Sequence, residues 1–327
     1  MTGAAGFIGS HLCEYLLFLG YEVTGLDDLS VGRLSNLSSI MNQKGFQFIN
    51  CDISDLKQLK EVPRNYEYVF HLAALADIVP SIDKPKRYFD VNVAGTINIL
   101  EHINKDELRK FIYSASSSCY GIPTTYPTNE KSELRPQYPY ALTKLLGEQL
   151  VLHWGLVYKI PVVSLRLFNV YGPRARTSGT YGAVFGVFLA QKRAGKPLTV
   201  VGDGSQTRDF TYVTDVVGAM MSAAAESVKN EVFNVGSGGT YSINQLVEIL
   251  GGERVNIPKR PGEPECTFAD ISKIQKKLGW SPKVTFQRGV ELMVSHIDDW
   301  NNAPVWTPEA IEKETELWFK FLGDKGN

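Results

Sequence analysis

The sequence lacks the features of a secreted, membrane-bound or nucleic-acid-binding protein. Its four cysteines (Cys13, Cys51, Cys119 and Cys266) form no C-x-x-C pair, which predicts buried thiols in a reducing compartment. The 34 basic and 35 acidic residues nearly cancel, so the charge favours neither nucleic acid nor an anionic membrane as a partner. There is no apolar run of roughly 20 residues and no basic leader with an apolar core. These absences predict a cytoplasmic globular protein.

The sequence also lacks a cluster of metal ligands. The histidines are scattered, and no group of His, Cys, Asp or Glu has the spacing of a metal site: His11, His71, His102, His153 and His296. We therefore expect no bound metal.

A glycine-rich loop opens the chain. Gly3, Gly6 and Gly9 have the spacing Gly-x-x-Gly-x-x-Gly and lead into a predicted helix. Such a loop lets the backbone approach a pyrophosphate at the N-terminus of a helix. Asp27 ends the strand predicted at 22–26, where a carboxylate can bind the ribose hydroxyls of adenosine. This arrangement favours NAD over NADP, although Arg33 nearby weakens the preference.

The strand that should precede the loop is nearly missing. Such a loop normally follows the buried central strand of a sheet, but only Met1 and Thr2 precede Gly3. We expect a misassigned start with several residues missing upstream, and a tolerated truncation of the first strand is the alternative. An intact mass of native protein that begins at Met1 would refute the expectation.

Strands and helices alternate through the first half of the chain. Apolar segments at 46–50, 68–72, 110–114 and 161–166 have the pattern of strands, with a helix over 89–103 between the second and third. The alternation predicts an α/β fold with a doubly wound parallel sheet, in which ligands bind at the carboxyl ends of the strands. Residues 1–170 would form this domain, and residues 171–327 a smaller α/β lobe, partly interleaved with it.

A tyrosine and a lysine lie four residues apart after Pro139. The surrounding residues are good helix formers, so Tyr140 and Lys144 should share one face of a helix. An ammonium beside a phenol favours the phenolate, which would let Tyr140 act as a base near neutral pH. Surface helices carry this spacing by chance, so the pair indicates catalysis only in combination with other motifs.

Several motifs occur together in one order. They are Thr2-Gly-x-x-Gly-Phe-Ile-Gly9, His71-Leu-Ala-Ala74, Ser116 with Tyr140-x-x-x-Lys144, and Arg208-Asp-Phe210. This combination resembles the extended short-chain dehydrogenase/reductase family, specifically its nucleotide-sugar epimerases and dehydratases. The resemblance implies a tightly bound NAD, a Rossmann-type domain and a C-terminal lobe that grips a UDP-sugar or a similar nucleotide sugar. It also implies a homodimer through the helices near 85–104 and 140–157.

The resemblance assigns roles to individual residues. Tyr140 resembles the general base, Lys144 the residue that holds the nicotinamide ribose and lowers the pKa of the tyrosine, and Ser116 the catalytic serine. Ser117 and Ser118 leave the exact hydroxyl open. The implied cofactor-binding residues are Gly3, Gly6, Phe7, Ile8, Gly9, Asp27, Asp28, Asp52, Ile53, Leu72, Ala73, Ala74, Asn92, Ser114, Tyr140, Lys144 and Phe168. The implied substrate-binding residues are Ser116, Asn169, Arg208, Arg260, Glu263 and Thr267.

The resemblance also narrows the reaction. The shared first step oxidises the sugar at C4, with the hydroxyl proton passing to Tyr140 and hydride to NAD, and leaves a 4-keto sugar. The family's dehydratases carry Asp-Glu where this chain has Ser117 and Ser118, and its decarboxylases keep the Glu. The resemblance therefore implies 4-epimerisation, with NAD regenerated in every turnover.

The identity of the sugar stays open among several candidates. Thr267 matches a position whose bulk screens the C2 substituent, so UDP-GlcNAc/UDP-GalNAc is expected alongside UDP-Glc/UDP-Gal. Asp77 would repel a uronate if it faced the sugar, but a plain loop residue is the slightly favoured interpretation. The alternatives are a UDP-glucuronate 4-epimerase or decarboxylase, and a catalytically silent NAD-binding regulatory protein.

Overall fold

A computed structural model describes residues 1–175, 183–225 and 227–323. In its first half, strands alternate with helices in this order: α1 (Phe7–Phe18), β1 (Val23–Asp27), β2 (Phe46–Asn50), α2 (Leu56–Leu59), β3 (Tyr68–His71), α3 (Ile78–Asp83), α4 (Pro85–Phe89), α5 (Gly95–His102), β4 (Lys110–Ser116), α6 (Pro139–Val157) and β5 (Val162–Leu167). A π-helical turn at Asp90–Ala94 joins α4 to α5, and 3₁₀ turns lie at Leu34–Leu37 and Ser117–Tyr120.

The second half has shorter strands. In chain order its elements are β6 (Val170–Tyr171), α7 (Val184–Arg193), β7 (Leu198–Val201), β8 (Thr207–Arg208), β9 (Thr211–Tyr212), α8 (Val213–Ala225), β10 (Glu231–Val235), β11 (Tyr241–Ser242), α9 (Ile243–Leu250), β12 (Arg254–Ile257), α10 (Ser272–Leu278), α11 (Phe286–Ser295) and α12 (Pro308–Leu322). A 3₁₀ turn at Ile297–Trp300 follows α11.

The main sheet is parallel and doubly wound, which confirms the predicted fold class. Its strands run in the order β10-β5-β4-β3, and β1-β2 continue the sheet beyond a gap. Thr2 occupies that gap and forms parallel bridges to Leu26 of β1 and His71 of β3. The first strand is thus as short as the sequence indicates, and it occupies the central position in the sheet.

Helices cover both faces of this sheet. α1 and α8 pack against each other on one face, and α5 and α6 pack against each other on the opposite face. The fully buried residues Leu12, Ile112 and Val163 belong to the core under α1. Leu100, Phe111 and Val151 belong to the core under α6. The two covered faces leave the carboxyl edge of the strands as the open side of the sheet.

The second half of the chain contributes to the sheet and also builds a lobe of its own. β10 pairs with β5 in register from Glu231 with Val163 to Val235 with Leu167. In the lobe, β7 pairs with β12, and the core contains a cluster of aromatic rings in which Phe210 stacks on Phe286 and Phe185 meets both edge-on. The predicted division of the chain at residue 170 stays a prediction.

The cysteines differ slightly from expectation. Cys13, Cys51 and Cys119 are buried, as predicted, whereas Cys266 is partly exposed. Within the described ranges, no helix combines the length and apolarity needed to cross a bilayer.

Candidate active site

A cavity of about 620 Å³ lies at the carboxyl edge of the sheet, facing the second lobe. Most of the predicted cofactor residues line it: Gly3, Gly6, Phe7, Ile8, Gly9, Asp27, Asp28, Asp52, Ile53, Leu72, Ala73, Ala74 and Ser114. Four of the predicted substrate residues line its other end: Asn169, Arg208, Arg260 and Glu263. Stretches that are far apart in sequence therefore meet in one cavity.

The glycine loop is shaped for close approach of a ligand to the backbone. Gly3 has a φ of +72°, and a Cβ atom on Gly9 would stand 2.0 Å from the Gly3 carbonyl oxygen. α1 begins at Phe7, and in the described part of the chain no side chain caps its N-terminus. The first amide groups of α1 thus point toward the cavity with a partial positive charge that suits a pyrophosphate. The residues present fit a dinucleotide.

Asp27 connects the loop to the ribose position. Its carboxylate accepts hydrogen bonds from the backbone amides of Ala5 (3.0 Å) and Leu29 (2.9 Å). Burial raises the pKa of this carboxyl, and the two amide hydrogen bonds oppose that shift. Nearby, the guanidinium of Arg87 lies 3.8 Å from Asp28 and 3.6 Å from Asp52, and so links two carboxylates that line the cavity.

Tyr140 lies beside the cavity in contact with one of the candidate serines. It is partly buried, and the Ser116 hydroxyl lies near enough to the phenol to lower its pKa. The Ser118 hydroxyl and amide both donate to Ser116 Oγ, at 2.8 and 3.2 Å. Of the three hydroxyls that the sequence left open, the structure therefore brings that of Ser116 to the tyrosine. Among the described residues, the cavity lining includes Ser114 and Asp77 but not Ser116, Tyr140 or Lys144, which adjoin it.

The pKa of Tyr140 differs from the expectation. Burial raises it, the Ser116 hydroxyl opposes the shift, and the charge of Asp77 adds to it. Lys144 is not among the groups that shift it, and the Lys144 ammonium stands over the ring of Tyr113, 4.5 Å from the centroid. Burial lowers the pKa of Lys144 itself to about 7, with Glu148 opposing. The predicted phenolate near neutral pH therefore does not follow from these protein groups alone.

Two predicted cofactor residues occupy structural positions. The Asn92 side chain accepts from the Leu75 amide (2.8 Å) and donates to the Leu75 carbonyl and the Thr143 hydroxyl (both 3.0 Å). It thus ties a cavity-lining loop to α6, instead of lining the cavity as expected. Phe168 is buried, and its ring packs against Tyr120. Asn92 and Phe168 can therefore affect the cavity only through the residues that they contact.

The substrate end of the cavity carries a carboxylate between two guanidinium groups. Glu263 accepts from Arg208 (2.8 Å), and its other oxygen lies 3.0 Å from Arg260 Nε. Thr267 stands behind this end and donates to the Asn169 amide oxygen at 2.7 Å. Asn169 lines the cavity, whereas Thr267 is absent from its lining within the described residues. Thr267 could therefore affect the C2 substituent of the sugar only by positioning Asn169.

Sequence reasoning missed three features of the site. The structure supports the disfavoured interpretation of Asp77, which lines the cavity and acts electrostatically on Tyr140. The buried pair Glu148–Arg166, at 2.6 Å, fastens α6 to β5 one helical turn after Lys144. Trp306 and Trp318 line the substrate end. The spacing of Glu148 from Lys144 was a local signal, but the two tryptophans gave none.

Known proteins resemble the chain over most of its length. Residues 1–293 match the protein family described as GDP-mannose 4,6 dehydratase. The UDP-glucose 4-epimerase of Mycolicibacterium smegmatis is 37% identical over 303 residues, which span 89% of this chain and 95% of that protein.

Solved structures share the fold as well. UDP-glucuronic acid 4-epimerase from Bacillus cereus, in complex with UDP-glucuronic acid and NAD, has a TM-score of 0.81 at 36% identity and covers 91% of this chain and 98% of its own. UDP-N-acetylglucosamine 4-epimerase from Methanobrevibacter ruminantium, in complex with UDP-N-acetylmuramic acid, has a TM-score of 0.85 at 32% identity, with coverages of 90% and 96%. The similarity extends over both halves of the chain.

Proposed function

The chain belongs to the protein family described as GDP-mannose 4,6 dehydratase, and on that basis we propose that it catalyses 4-epimerisation of a UDP-linked hexose. The protein is an NAD-dependent nucleotide-sugar epimerase. The observation that carries the proposal is the position of Tyr140, whose pKa the Ser116 hydroxyl and the Asp77 charge both affect, beside the cavity that the glycine loop opens. NAD supplies the acceptor and donor of the hydride when it is bound.

A residue of the chain itself accepts and returns the proton of the sugar hydroxyl. Tyr140 takes the proton from the C4 hydroxyl at its phenolic oxygen and returns it after hydride has gone back to the opposite face. Burial disfavours the ionised phenol, and the Ser116 hydroxyl favours it. Activity should therefore rise with pH above neutrality. The ion pair between Glu148 and Arg166 fixes α6 to β5 and so holds the phenol of Tyr140, which lies on α6, in place.

The serines after β4 favour epimerisation over elimination. Ser117 and Ser118 lie in the turn that continues from Ser116, where the family's dehydratases are expected to carry carboxylates. A hydroxyl there offers neither the acid nor the base that loss of water across C5 and C6 requires. The 4-keto sugar can then only rotate and take hydride back.

Neutral hexoses fit the sugar end best. Asp77 lines the cavity and carries a charge that acts on Tyr140, so the carboxylate of a uronate would meet like charge beside the reacting carbon. Thr267 is small and reaches the cavity only through its hydrogen bond to Asn169, so no bulky side chain at position 267 would screen an N-acetyl group. We therefore expect turnover of UDP-Glc/UDP-Gal and of UDP-GlcNAc/UDP-GalNAc. UDP-glucuronate is the second candidate, favoured by the similarity to the Bacillus cereus enzyme.

A Tyr140→Phe variant tests the catalytic assignment. Removing the phenolic oxygen should lower kcat about 10²- to 10⁴-fold while NAD stays bound. Tyr138→Phe is the matched control, because its ring stacks on Tyr140 with centroids 6.4 Å apart. NMR of the epimers formed from each UDP-sugar gives the rates and the substrate. A wild-type protein that binds NAD but converts no sugar would instead support a silent regulatory role.

The homodimer predicted from the resemblance has support on α6. Leu156 and Val157 are 60% and 52% exposed there, and Leu142 is 38% exposed. Such apolar side chains at the surface of one helix suit a partner helix. Light scattering on the purified protein should give twice the mass of one chain. The Leu156→Lys variant should give the mass of a single chain.

A further inference from the structure

The last part of the described chain forms one wall of the cavity. Ala303, Pro304, Trp306 and Trp318 line its substrate end. These residues lie beyond residue 293, where the match to the family stops. This wall is therefore specific to the C-terminal segment and does not come from the part of the chain that matches the family.

The beginning of this segment is fixed to the lobe by buried contacts. The Gln191 side chain, fully buried, donates to the Trp306 carbonyl at 2.7 Å and to the Thr199 hydroxyl at 2.9 Å. The indole of Trp306 packs against the cluster of Val201, Ile257 and Ile311. Trp306 thus has a defined position against β7, whose residue Val201 also lines the cavity.

The helix that follows, α12, packs against the loop that carries the candidate substrate residues Arg260 and Glu263. α12 buries Ile311, Thr315 and Trp318, which are spaced to lie on one face. The indole Nε1 of Trp318 donates to the Pro261 carbonyl at 2.7 Å, and the Arg260 guanidinium lies 5.2 Å from the centre of its ring. α12 also packs against α3, the helix that begins directly after Asp77.

We infer that Trp318 is a positioning residue for the nucleotide half of the substrate, which it serves by holding Arg260 at the cavity wall. The inference rests on the proposed function and takes Arg260, which lines the substrate end of the cavity, as a contact of the UDP diphosphate, whose oxygens suit a guanidinium. A guanidinium on an aromatic face keeps its charge and its outer N–H groups for an anion, because the ring contacts only its flat face. The bond to Pro261 fixes the backbone from which Arg260 extends.

The role assigned to Trp318 predicts an effect on binding and not on chemistry. Trp318→Leu removes the ring face and the Nε1 donor, so the Kd of UDP and the KM of the UDP-sugar should rise about five- to thirty-fold with kcat nearly unchanged. Trp318→Phe keeps a ring and should give a smaller rise. Phe321→Leu is the control, since Phe321 is 55% exposed on the same helix and should bind UDP as the wild type does.

A double-mutant cycle separates positioning from general support of the fold. In the holoenzyme with its NAD, Trp318→Leu should add little to the UDP affinity lost in Arg260→Met, because both act on the same contact. Calorimetric titration with UDP alone gives the four affinities. Full additivity, unchanged affinity in Trp318→Leu, or a fall in kcat at constant KM would overturn the inference. Wild-type protein that fails to bind UDP would instead overturn the proposed function.

Discussion

The hydroxyl of Thr2 lies 2.8 Å from Nδ1 of His71, in the gap between β1 and β3. The same oxygen accepts the amides of Leu72 (3.2 Å) and Ala73 (3.1 Å), so its hydrogen is left to donate to Nδ1. His71 Nε2 then donates to Thr96, whose hydroxyl donates to the Asn92 carbonyl. Burial lowers the pKa of His71 to about 3, which keeps the imidazole neutral in this chain of bonds.

Thr2→Val should destabilise the protein strongly. The change removes the acceptor of the Ala73 amide, leaves the Leu72 amide with only the Thr2 carbonyl at 3.3 Å, and breaks the link to His71, at a cost of about 1–3 kcal/mol in the free energy of unfolding. Urea unfolding monitored by circular dichroism measures that cost. Thr2→Ser, which keeps the hydroxyl, should stay close to wild type, and equal stability of the two variants would contradict the assigned bonds.

Gly9→Ala should abolish tight binding of NAD. Its new methyl carbon would stand 2.0 Å from the Gly3 carbonyl oxygen, so the loop has to open. NAD released from the denatured, purified protein should fall at least tenfold. Gly218→Ala is the control, because its methyl carbon would meet the Trp280 Nε1 at 3.5 Å and the residue lies inside α8, where alanine is favoured. Full NAD content in Gly9→Ala would show that the loop does not hold the cofactor.

Lys144→Met should raise thermal stability while it abolishes activity. The folded-state pKa of Lys144 is about 7 against 10.5 unfolded, so holding the ammonium in the folded protein costs most below pH 7. That cost falls as the pH rises from 7 to 10.5. The gain in Tm should therefore be larger at pH 6.5 than at pH 9.5. Lys276→Met, at an exposed position on α10, should show no such trend, and a trend of opposite sign would refute the pKa assignment.

Asp77→Asn should relax the discrimination against uronates. Removing the charge should raise kcat/KM for UDP-glucuronate relative to UDP-glucose about five- to tenfold. It should also lower the pKa of Tyr140, which the Asp77 charge raises, and move the acidic limb of the pH–rate profile to lower pH. Asp83→Asn, half exposed at the end of α3, is the control. Unchanged selectivity and pH profile would place Asp77 outside the sugar site.

Local patterns were sufficient to predict most of the residues that line the glycine-loop end of the cavity. Gly3 and Gly9 approach each other too closely for a Cβ atom, and Asp27 is the last residue of its strand, so both features could be located from sequence. The parallel sheet followed from the alternation of strands and helices. These features depend on residues close together in the chain, where periodicity and turn chemistry act.

Contacts between distant segments could not be read in this way. Trp318 reaches Pro261 across 57 residues, and no spacing rule connects the two. The position of the Lys144 ammonium over the Tyr113 ring depends on packing between α6 and β4. Asp77 has a positive φ of 75°, an uncommon backbone conformation for a residue other than glycine, and sequence alone did not indicate it.

The pairing of β10 with β5 has a consequence for the architecture. A fragment that ended at residue 170 would expose the backbone of β5 along the edge that Glu231–Val235 covers in the complete fold. Bare strand edges attract other strands. A strand from the second half of the chain thus covers a sheet edge that the first half alone would leave open to other chains.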